Sequence, residues 1–428
     1  MILEIRAENF FAFSGKIEIS ANADMRIKRF ASNTVREAGY DIVKALSIYG
    51  SNNVGKTFAL RILEFITGIL QHRPAPANIN IFSKDNTCRL GVSFTFKGEA
   101  YSYDVHYRIP SASNRNGTFV YERFSKLITD SYGNECDREI FVRDAVNKRY
   151  GFTGNAELSD LLESVSNDNI LIYTANSEKY PELEKCKSIL TGFAENILII
   201  DMNNVPISLT LEIIKRGKSD PRYDMTVELI KTADLEIEDF KFVKRSIPFA
   251  KSEQPVQEAA TRAAINAAEE LFGLTSVHNG IDLPSMAFDS TGTKKVIAVA
   301  GYIADALVGG KTLIVDELDS SLHFKLTRAI IAIFNNEANK RAQLIFTAHD
   351  AMLLDCKKLL RKDQIWFADK DENGVYMYPL SDFTAEHDNV RSDSDMTELY
   401  KRGVFGAVPE PDLISALLTA EDKEDKDE

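Results

Sequence analysis

The chain has 428 residues, 44% of them hydrophobic, which is enough to bury a large core, excludes disorder as its general state and suggests two or three domains. A formal net charge of -13 argues against avid, non-specific binding to nucleic acid, whose affinity comes mainly from phosphates neutralised by Lys and Arg; a local basic groove is still compatible with it. Four scattered cysteines, Cys88, Cys136, Cys186 and Cys356, form no C-x-x-C pair, which argues against a zinc site or a disulfide framework and for reduced thiols.

Leu3, Ile5 and Ala7 alternate with Glu4, Arg6 and Glu8, a period of two that predicts an opening strand with one buried face; the same charges argue against a signal peptide. After a polar stretch over 14–40, the apolar run 42–49 predicts a buried strand, 50–57 a glycine loop and 58–70 a helix. Leu90, Val92, Phe94 and Phe96, then Gly98, then Tyr101, Tyr103 and Val105 alternate as an antiparallel hairpin does. From about 135 to 285 the pattern reads as mainly helical, with polar breaks at 151–154, 217–221 and 248–255, and it lacks the sustained heptads of a coiled-coil arm.

From residue 290 onward helix (292–308), strand (312–315), helix (322–339), strand (343–347), a further helix and a strand (364–368) alternate, which builds a mostly parallel sheet covered by helices. The apolar stretch 296–308 is broken by Gly301 and Asp305 and falls short of the roughly 20 residues a membrane span needs. It reads as a buried helix, and a cytoplasmic protein without membrane contact is expected. Residues 421–428 carry six acids against Lys423 and Lys426 and read as a solvated tail.

Gly50-Ser51-Asn52-Asn53-Val54-Gly55-Lys56-Thr57 matches G-x-x-x-x-G-K-[ST], the phosphate-binding loop. Its backbone N–H groups point inward around the phosphates of ATP, Lys56 is expected to reach the β and γ phosphates, and the Thr57 hydroxyl is expected to ligate Mg2+. A chance match in a chain this long has odds of roughly one or two in a hundred, and the position between a predicted strand and a predicted helix is the context the motif requires. Residues 312–317 predict an apolar strand ending in Asp316 and Glu317; on its own that is more often an exposed strand end, but after a phosphate loop it is the Walker B pattern, in which Asp316 is expected to hold Mg2+ through water and Glu317 to orient and polarise the attacking water. About 260 residues separate Lys56 from Asp316, so the nucleotide-binding unit must be split by an insertion.

Two further segments attract notice. Asp289-Ser290-Thr291-Gly292-Thr293 opens the helix before that strand, and a Ser-x-Gly turn at a helix N-terminus offers N–H groups and a positive dipole end to an anion; an ordinary N-cap is the plain alternative for Ser290. Thr347-Ala348-His349-Asp350 ends the strand after it, where a loop histidine is the plain alternative for His349.

Together these residues resemble the OLD-like AAA/ABC ATPases, relatives of RecF and SMC heads found in bacterial anti-phage defence and toxin–antitoxin loci. The likeness extends to Glu8-Asn9-Phe10-Phe11-Ala12-Phe13-Ser14, to 343–350, to 361–367 and to 401–409, so it covers roughly residues 1–70 and 285–410. It implies an α/β P-loop NTPase with an ABC-type split head, its sheet mixed and mostly parallel with antiparallel hairpins, and an inserted helical lid region. The lobes would span 1–130 and 286–415, the insertion 131–285 and a disordered acidic tail 416–428.

The resemblance further implies that Ser290 and Gly292 meet the γ-phosphate bound to another subunit, so that ATP is hydrolysed in a head-to-tail dimer that can build larger oligomers, and that His349 is the switch touching the same phosphate. The turn reads Ser-Thr-Gly-Thr where transporters have Leu-Ser-Gly-Gly-Gln, and no Q-loop glutamine is assigned. OLD nucleases carry a metal-dependent nuclease domain after the head, and with roughly 80 residues after His349, most of them matched to the head, the chain is not expected to be a nuclease itself. The leading implication is therefore a sensor or regulatory ATPase acting on a separately encoded effector, a nuclease above all, as the ATPase subunits of PARIS-type and Septu-type systems do. The alternatives are a RecF-like clamp gripping DNA as an ATP-bound dimer, against which the acidic balance counts, and a scaffold holding ATP structurally, against which Glu317 counts.

Overall fold

Alternation at the start of the chain does produce a strand. In β1 (Ile2–Glu8) Leu3, Ile5 and Ala7 are buried while Glu4, Arg6 and Glu8 are half-buried. The computed structural model describes residues 1–52, 54–110, 117–129, 135–174, 179–234, 236–246, 255–372, 374–388, 390–391 and 394–408. The expected acidic tail at 416–428 lies outside the described residues.

The chain continues through β2 (Ile17–Ser20), the hairpin β3 (Thr34–Glu37) and β4 (Tyr40–Val43), the buried strand β5 (Ala45–Tyr49) and helix α1 (Lys56–Leu70). The run 42–49, expected as one strand, is thus shared between β4 and β5. Lys44 stands between them with its buried ammonium donating to the carbonyl of Asn336 at 2.8 Å. Five strands follow in succession, β6 (Thr87–Phe96), β7 (Glu99–Arg108), β8 (Thr118–Thr129), β9 (Glu135–Asp144) and β10 (Arg149–Phe152). Next come α2 (Ala156–Ser164), α3 (Leu171–Thr174), α4 (Pro181–Glu195), β11 (Ile197–Asp201), α5 (Ser208–Arg216), α6 (Tyr223–Ala233), β12 (Asp239–Phe242), α7 (Pro255–Gly273), β13 (Leu274–His278), β14 (Ile281–Pro284) and α8 (Ser285–Phe288). The last elements are α9 (Thr291–Gly309), β15 (Thr312–Asp316), α10 (Phe324–Asn335), β16 (Gln343–Thr347), β17 (Ile365–Asp371), β18 (Gly374–Pro379) and α11 (Met396–Lys401).

Two large sheets result. One has seven antiparallel strands in the order β10-β9-β8-β7-β6-β1-β2; the other has six in the order β11-β15-β16-β5-β17-β18, parallel except for β18. The fold is therefore the expected α/β arrangement of a mostly parallel sheet with antiparallel hairpins. Helix α1 lies between the sheets, which explains why it is apolar nearly all round: Ala59, Leu60, Ile62, Leu63, Phe65 and Ile66 are all buried.

Three expectations are corrected. The border at 131 falls inside the β8–β9 hairpin, because β9 pairs antiparallel with β8 and β10 with β9, extending the seven-stranded sheet to Phe152. Within the region expected to be a helical insertion, β11 joins the other large sheet in parallel with β15, Ile197 opposite Thr312 and Asp201 opposite Asp316. Between β16 and β17 the expected α-helix does not form among the described residues: Asp350 caps a 3-10 turn, Ala351–Leu353, by accepting from the Met352 N–H, and a second 3-10 turn, Lys362–Gln364, leads into β17.

The seven-stranded sheet buries one face under α1 and α4 and leaves the other open, with a hollow of about 950 Å³ over it. Charges on the open face are paired across strands, Arg6 with Asp104 at 2.9 Å and Arg123 with Asp137 at 3.0 Å. On the covered side Glu122 and Arg143 stand opposite each other on β8 and β9, fully buried and 2.9 Å apart. The Arg143 guanidinium also donates to the carbonyls of Ser166 and Asn169, and Glu122 accepts from Tyr103 Oη and the Leu171 N–H. This network pins the chain between α2 and α3 to the sheet. Removing one partner strands a buried charge, so Arg143→Met is expected to lower stability by roughly 3–5 kcal/mol in urea unfolding; a loss under ~1 kcal/mol would contradict the assignment.

Among the described residues no helix is long and apolar enough to cross a membrane. All four cysteines are free; burial pushes the thiols of Cys88, Cys186 and Cys356 up to about 12.

Candidate functional site

Two glycines give the loop after β5 its shape. Gly50 has φ 154° and Gly55 φ 93°; a Cβ on Gly50 would stand 2.4 Å from the Ala368 carbonyl oxygen, and one on Gly55 would stand 3.3 Å from the Ala12 Cβ. Only glycine tolerates both the close approach to β17 and the left-handed turn into α1. Lys56 opens that helix with its side chain folded back, Nζ donating to the carbonyls of Gly50 at 2.7 Å and Ser51 at 2.8 Å. Burial lowers the Lys56 pKa, while the carboxylates of Glu317, Asp316 and Asp319 hold it up. Asn52 and Val54 line the same loop, and Asn53 lies outside the described residues.

The order β15-β16-β5 brings the ends of β15 and β16 over this loop. Asp316 closes β15, and its Oδ1 accepts from the Thr347 hydroxyl at 2.5 Å. The oxygen of that hydroxyl in turn accepts from the Glu317 N–H at 2.8 Å, so the last residue of β16 ties the acidic pair together. Glu317 sits at φ 54°, a left-handed conformation that costs a residue with a side chain about 1–3 kcal/mol and concentrates at functional sites.

Glu317 Oε2 accepts from Asn203 Nδ2 at 2.8 Å, and Oε1 stands 3.6 Å from His349 Nε2. The Asn203 hydrogen bond, followed by His349 and Lys56, holds the Glu317 carboxyl below its ordinary pKa against partial burial, so it is ionised at neutral pH. Asp319 Oδ2 accepts from the N–H groups of His349 and Asp350 at 2.8 and 2.6 Å, which couples the turn after the acidic pair to the histidine.

Lys56, Thr57, Asp316, Glu317 and His349 therefore line one open cleft of about 530 Å³. Among the described residues nothing bonds the Thr57 hydroxyl. A threonine hydroxyl and an aspartate carboxylate are hard oxygen donors of the kind Mg2+ takes, with waters completing its shell, so the residues fit that ion.

Ser290 and Gly292 are not brought to this cleft. Ser290 caps α9, accepting from the Thr293 N–H at 3.1 Å, and Thr293 Oγ1 donates to Asp234 Oδ2 at 2.7 Å. The plain N-cap reading of Ser290 is thus satisfied by its own chain. Gly292 is different, since a Cβ there would meet only Ser290 Oγ at 3.7 Å and the Ser321 carbonyl oxygen at 3.8 Å, ordinary contacts. Packing within this chain does not demand a glycine there.

Sequence reasoning missed three contributors. Thr347 opens the segment 347–350 that carries the candidate His349, and Asp319 stands two residues past Glu317, so a strand end beside the acidic pair is a usable signal. Asn203 carried none: it follows β11, and only the pairing of β11 with β15 delivers it to Glu317.

A protein-family model described as "AAA domain, putative AbiEii toxin, Type IV TA system" matches residues 46–355. No curated protein matches the chain. Among solved structures, the SMC head domain from Thermotoga maritima is similar at 11% identity and TM-score 0.40, covering 88% of this chain and 98% of its own. An SmcHead bound to the C-winged helix domain of ScpA is similar at 13% identity and TM-score 0.44, covering 88% and 97%. Both scores are low, and nothing about function follows from either.

Proposed function

Because the chain belongs to the AAA domain family whose model spans residues 46–355, we propose that it binds and hydrolyses ATP in the cleft between Lys56 and Glu317. The observation that carries this reading is the convergence on one cleft of a phosphate loop, a free hydroxyl, a carboxylate at a strand end and an ionised glutamate beside a histidine. On binding, the Lys56 ammonium exchanges the carbonyls of Gly50 and Ser51 for the β and γ phosphates, with the loop N–H groups around them. Thr57 and Asp316 would hold Mg2+, which neutralises phosphate charge when bound. Glu317 orients the attacking water through its carboxylate, kept in place by Asn203, and His349 stands beside it at the γ end.

Ser290 and Gly292 would complete the site from a second copy, in a head-to-tail dimer; the unconstrained glycine supports this role. The family's description, a putative toxin of a type IV toxin–antitoxin system, supports a place for the chain in such a system; in the leading reading it is a regulatory ATPase that controls a separately encoded effector, a nuclease above all. Co-expression with neighbouring genes and affinity purification tests it. A stoichiometric protein partner of nuclease or toxin character is expected; recovery of DNA without such a partner would favour a RecF-like clamp.

Asn203 offers a separate check. Asn203→Ala removes the strongest influence holding the Glu317 pKa down, so that pKa rises toward the ordinary carboxylate value and the acid limb of the pH–rate profile moves to higher pH. A hydrogen bond to a charged group contributes about 1.5–3 kcal/mol, so kcat should fall roughly 10- to 100-fold. An unmoved acid limb would show that Asn203 does not act on Glu317.

A further inference from the structure

The cleft has a second kind of lining that phosphate and Mg2+ chemistry does not use. Phe58 and Arg61 line it from α1, three residues apart and so on one face of the helix. The Phe58 ring stacks on Phe11, with centroids 4.8 Å apart and planes 10° from parallel. The Arg61 guanidinium carbon lies over both rings, 5.4 Å from the Phe58 centroid and 5.6 Å from that of Phe11. Among the described residues Arg61 has no carboxylate or hydrogen-bond partner, although the chain carries a formal net charge of -13.

Phe11 is held for this contact at a cost. Its φ is 47°, a left-handed conformation rare for an aromatic residue. The surroundings enforce it: Phe11 N–H donates to the Asn78 carbonyl at 2.9 Å, and buried Asn80 donates through Nδ2 to the carbonyls of Phe11 and Ala12 at 3.0 and 3.1 Å. The same turn backs directly onto the phosphate loop, with Ala12 and Phe13 against Gly55. A strained, over-determined aromatic residue beside a ligand cleft is the pattern that preorganises a contact surface.

We infer that Arg61, seated on the Phe11–Phe58 pair, is the nucleobase contact of this cleft and takes the purine of ATP against the open face of its guanidinium. The inference rests on the ATP-binding reading above. With the phosphates committed to the loop N–H groups and Lys56, and to the Mg2+ that Thr57 and Asp316 would hold, the base is left to be held, and a flat guanidinium backed by aromatic rings stacks on a purine face. The three side chains define the end of the site that distinguishes ATP from a bare polyphosphate.

The test titrates the full-length protein, wild type and Arg61→Ala, Phe58→Leu and Lys56→Ala variants, with ATP, UTP and inorganic tripolyphosphate by calorimetry in the presence of Mg2+. Stacking on a base is worth roughly 10- to 100-fold in affinity, so Arg61→Ala and Phe58→Leu should weaken ATP by that factor and leave tripolyphosphate within about twofold. The wild-type preference for ATP over UTP should also shrink in Arg61→Ala, a readout that stands even if tripolyphosphate binds too weakly to measure. Equal weakening of ATP and tripolyphosphate would make Arg61 a phosphate ligand, and an unchanged ATP to UTP ratio would equally overturn the inference. Lys56→Ala separates the layers: if it keeps wild-type ATP affinity, the ATP-binding reading fails, not merely the assignment of the base.

Discussion

Lys56→Ala is expected to abolish ATP binding without unfolding the protein. The ammonium is the one cation on the phosphate loop, and it makes two charge-assisted hydrogen bonds to the loop's own carbonyls that phosphate oxygens would replace. Losing about 3 kcal/mol of such contacts weakens affinity by more than roughly 100-fold. The ligand-free protein should respond differently. Burial holds the folded-state pKa of Lys56 below its ordinary value, so the unfolded chain binds this proton more tightly. The charged side chain therefore costs stability throughout the range below the folded pKa, and that cost fades as pH rises from there to the ordinary lysine value.

At neutral pH the alanine variant should thus unfold no more easily than wild type in the absence of nucleotide. Wild type at 100 times its Kd of ATP should gain about 2.7 kcal/mol by mass action, and the variant, at the same concentration, less than about 0.4 kcal/mol. Thermal unfolding with and without ATP reads both effects. Equal ATP-induced stabilisation of the two proteins would sink the phosphate-loop assignment; a collapse of the ligand-free variant would mean that Lys56 is structural.

The parts of the site legible in sequence are those whose chemistry is local along the chain. A phosphate loop is a run of consecutive N–H groups with glycines where the backbone turns left-handed, so Gly50, Gly55, Lys56 and Thr57 had to stand at fixed offsets. An acidic pair at the end of an apolar strand is equally contiguous. Asn203 is not legible, because an asparagine after a short apolar strand is common and its meaning comes from sheet order alone, β11 beside β15. Thr347 was read as the start of a motif, yet its work of bridging Asp316 and the Glu317 backbone depends on two strands ending level.

The same logic explains the misplaced border at 131. An antiparallel sheet with one open face carries charged residues at every other position, and in β9 Asp137 and Glu139 face cross-strand arginines, Arg123 and Arg149. Read without their partners, such charges look like the polar side of a helix. Downstream, Asp319 already takes up the N–H groups of His349 and Asp350. That bond, with the Asp350 cap, leaves a tight turn where apolar spacing suggested a helix.

Glu317→Gln is expected to separate binding from hydrolysis. Glutamine keeps the size of the side chain and an oxygen that accepts from Asn203 Nδ2, so the left-handed turn at residue 317 and the Thr347 contacts survive. What disappears is the negative charge that the Asn203 bond, His349 and Lys56 together keep ionised at neutral pH. A positioned base contributes roughly 10²- to 10⁴-fold, so kcat should fall by that factor. ATP affinity should change little, since the glutamate acts on water and not on the phosphates. If the site is completed by Ser290 and Gly292 of a second copy, the variant should accumulate as an ATP-bound dimer, visible as a doubling of mass in light scattering with ATP and Mg2+ and absent without them. Hydrolysis at the wild-type rate would remove Glu317 from catalysis. Slow hydrolysis in a protein that stays monomeric at saturating ATP would keep Glu317 and discard the shared site, leaving Ser290 as the helix cap its own hydrogen bonds already make it.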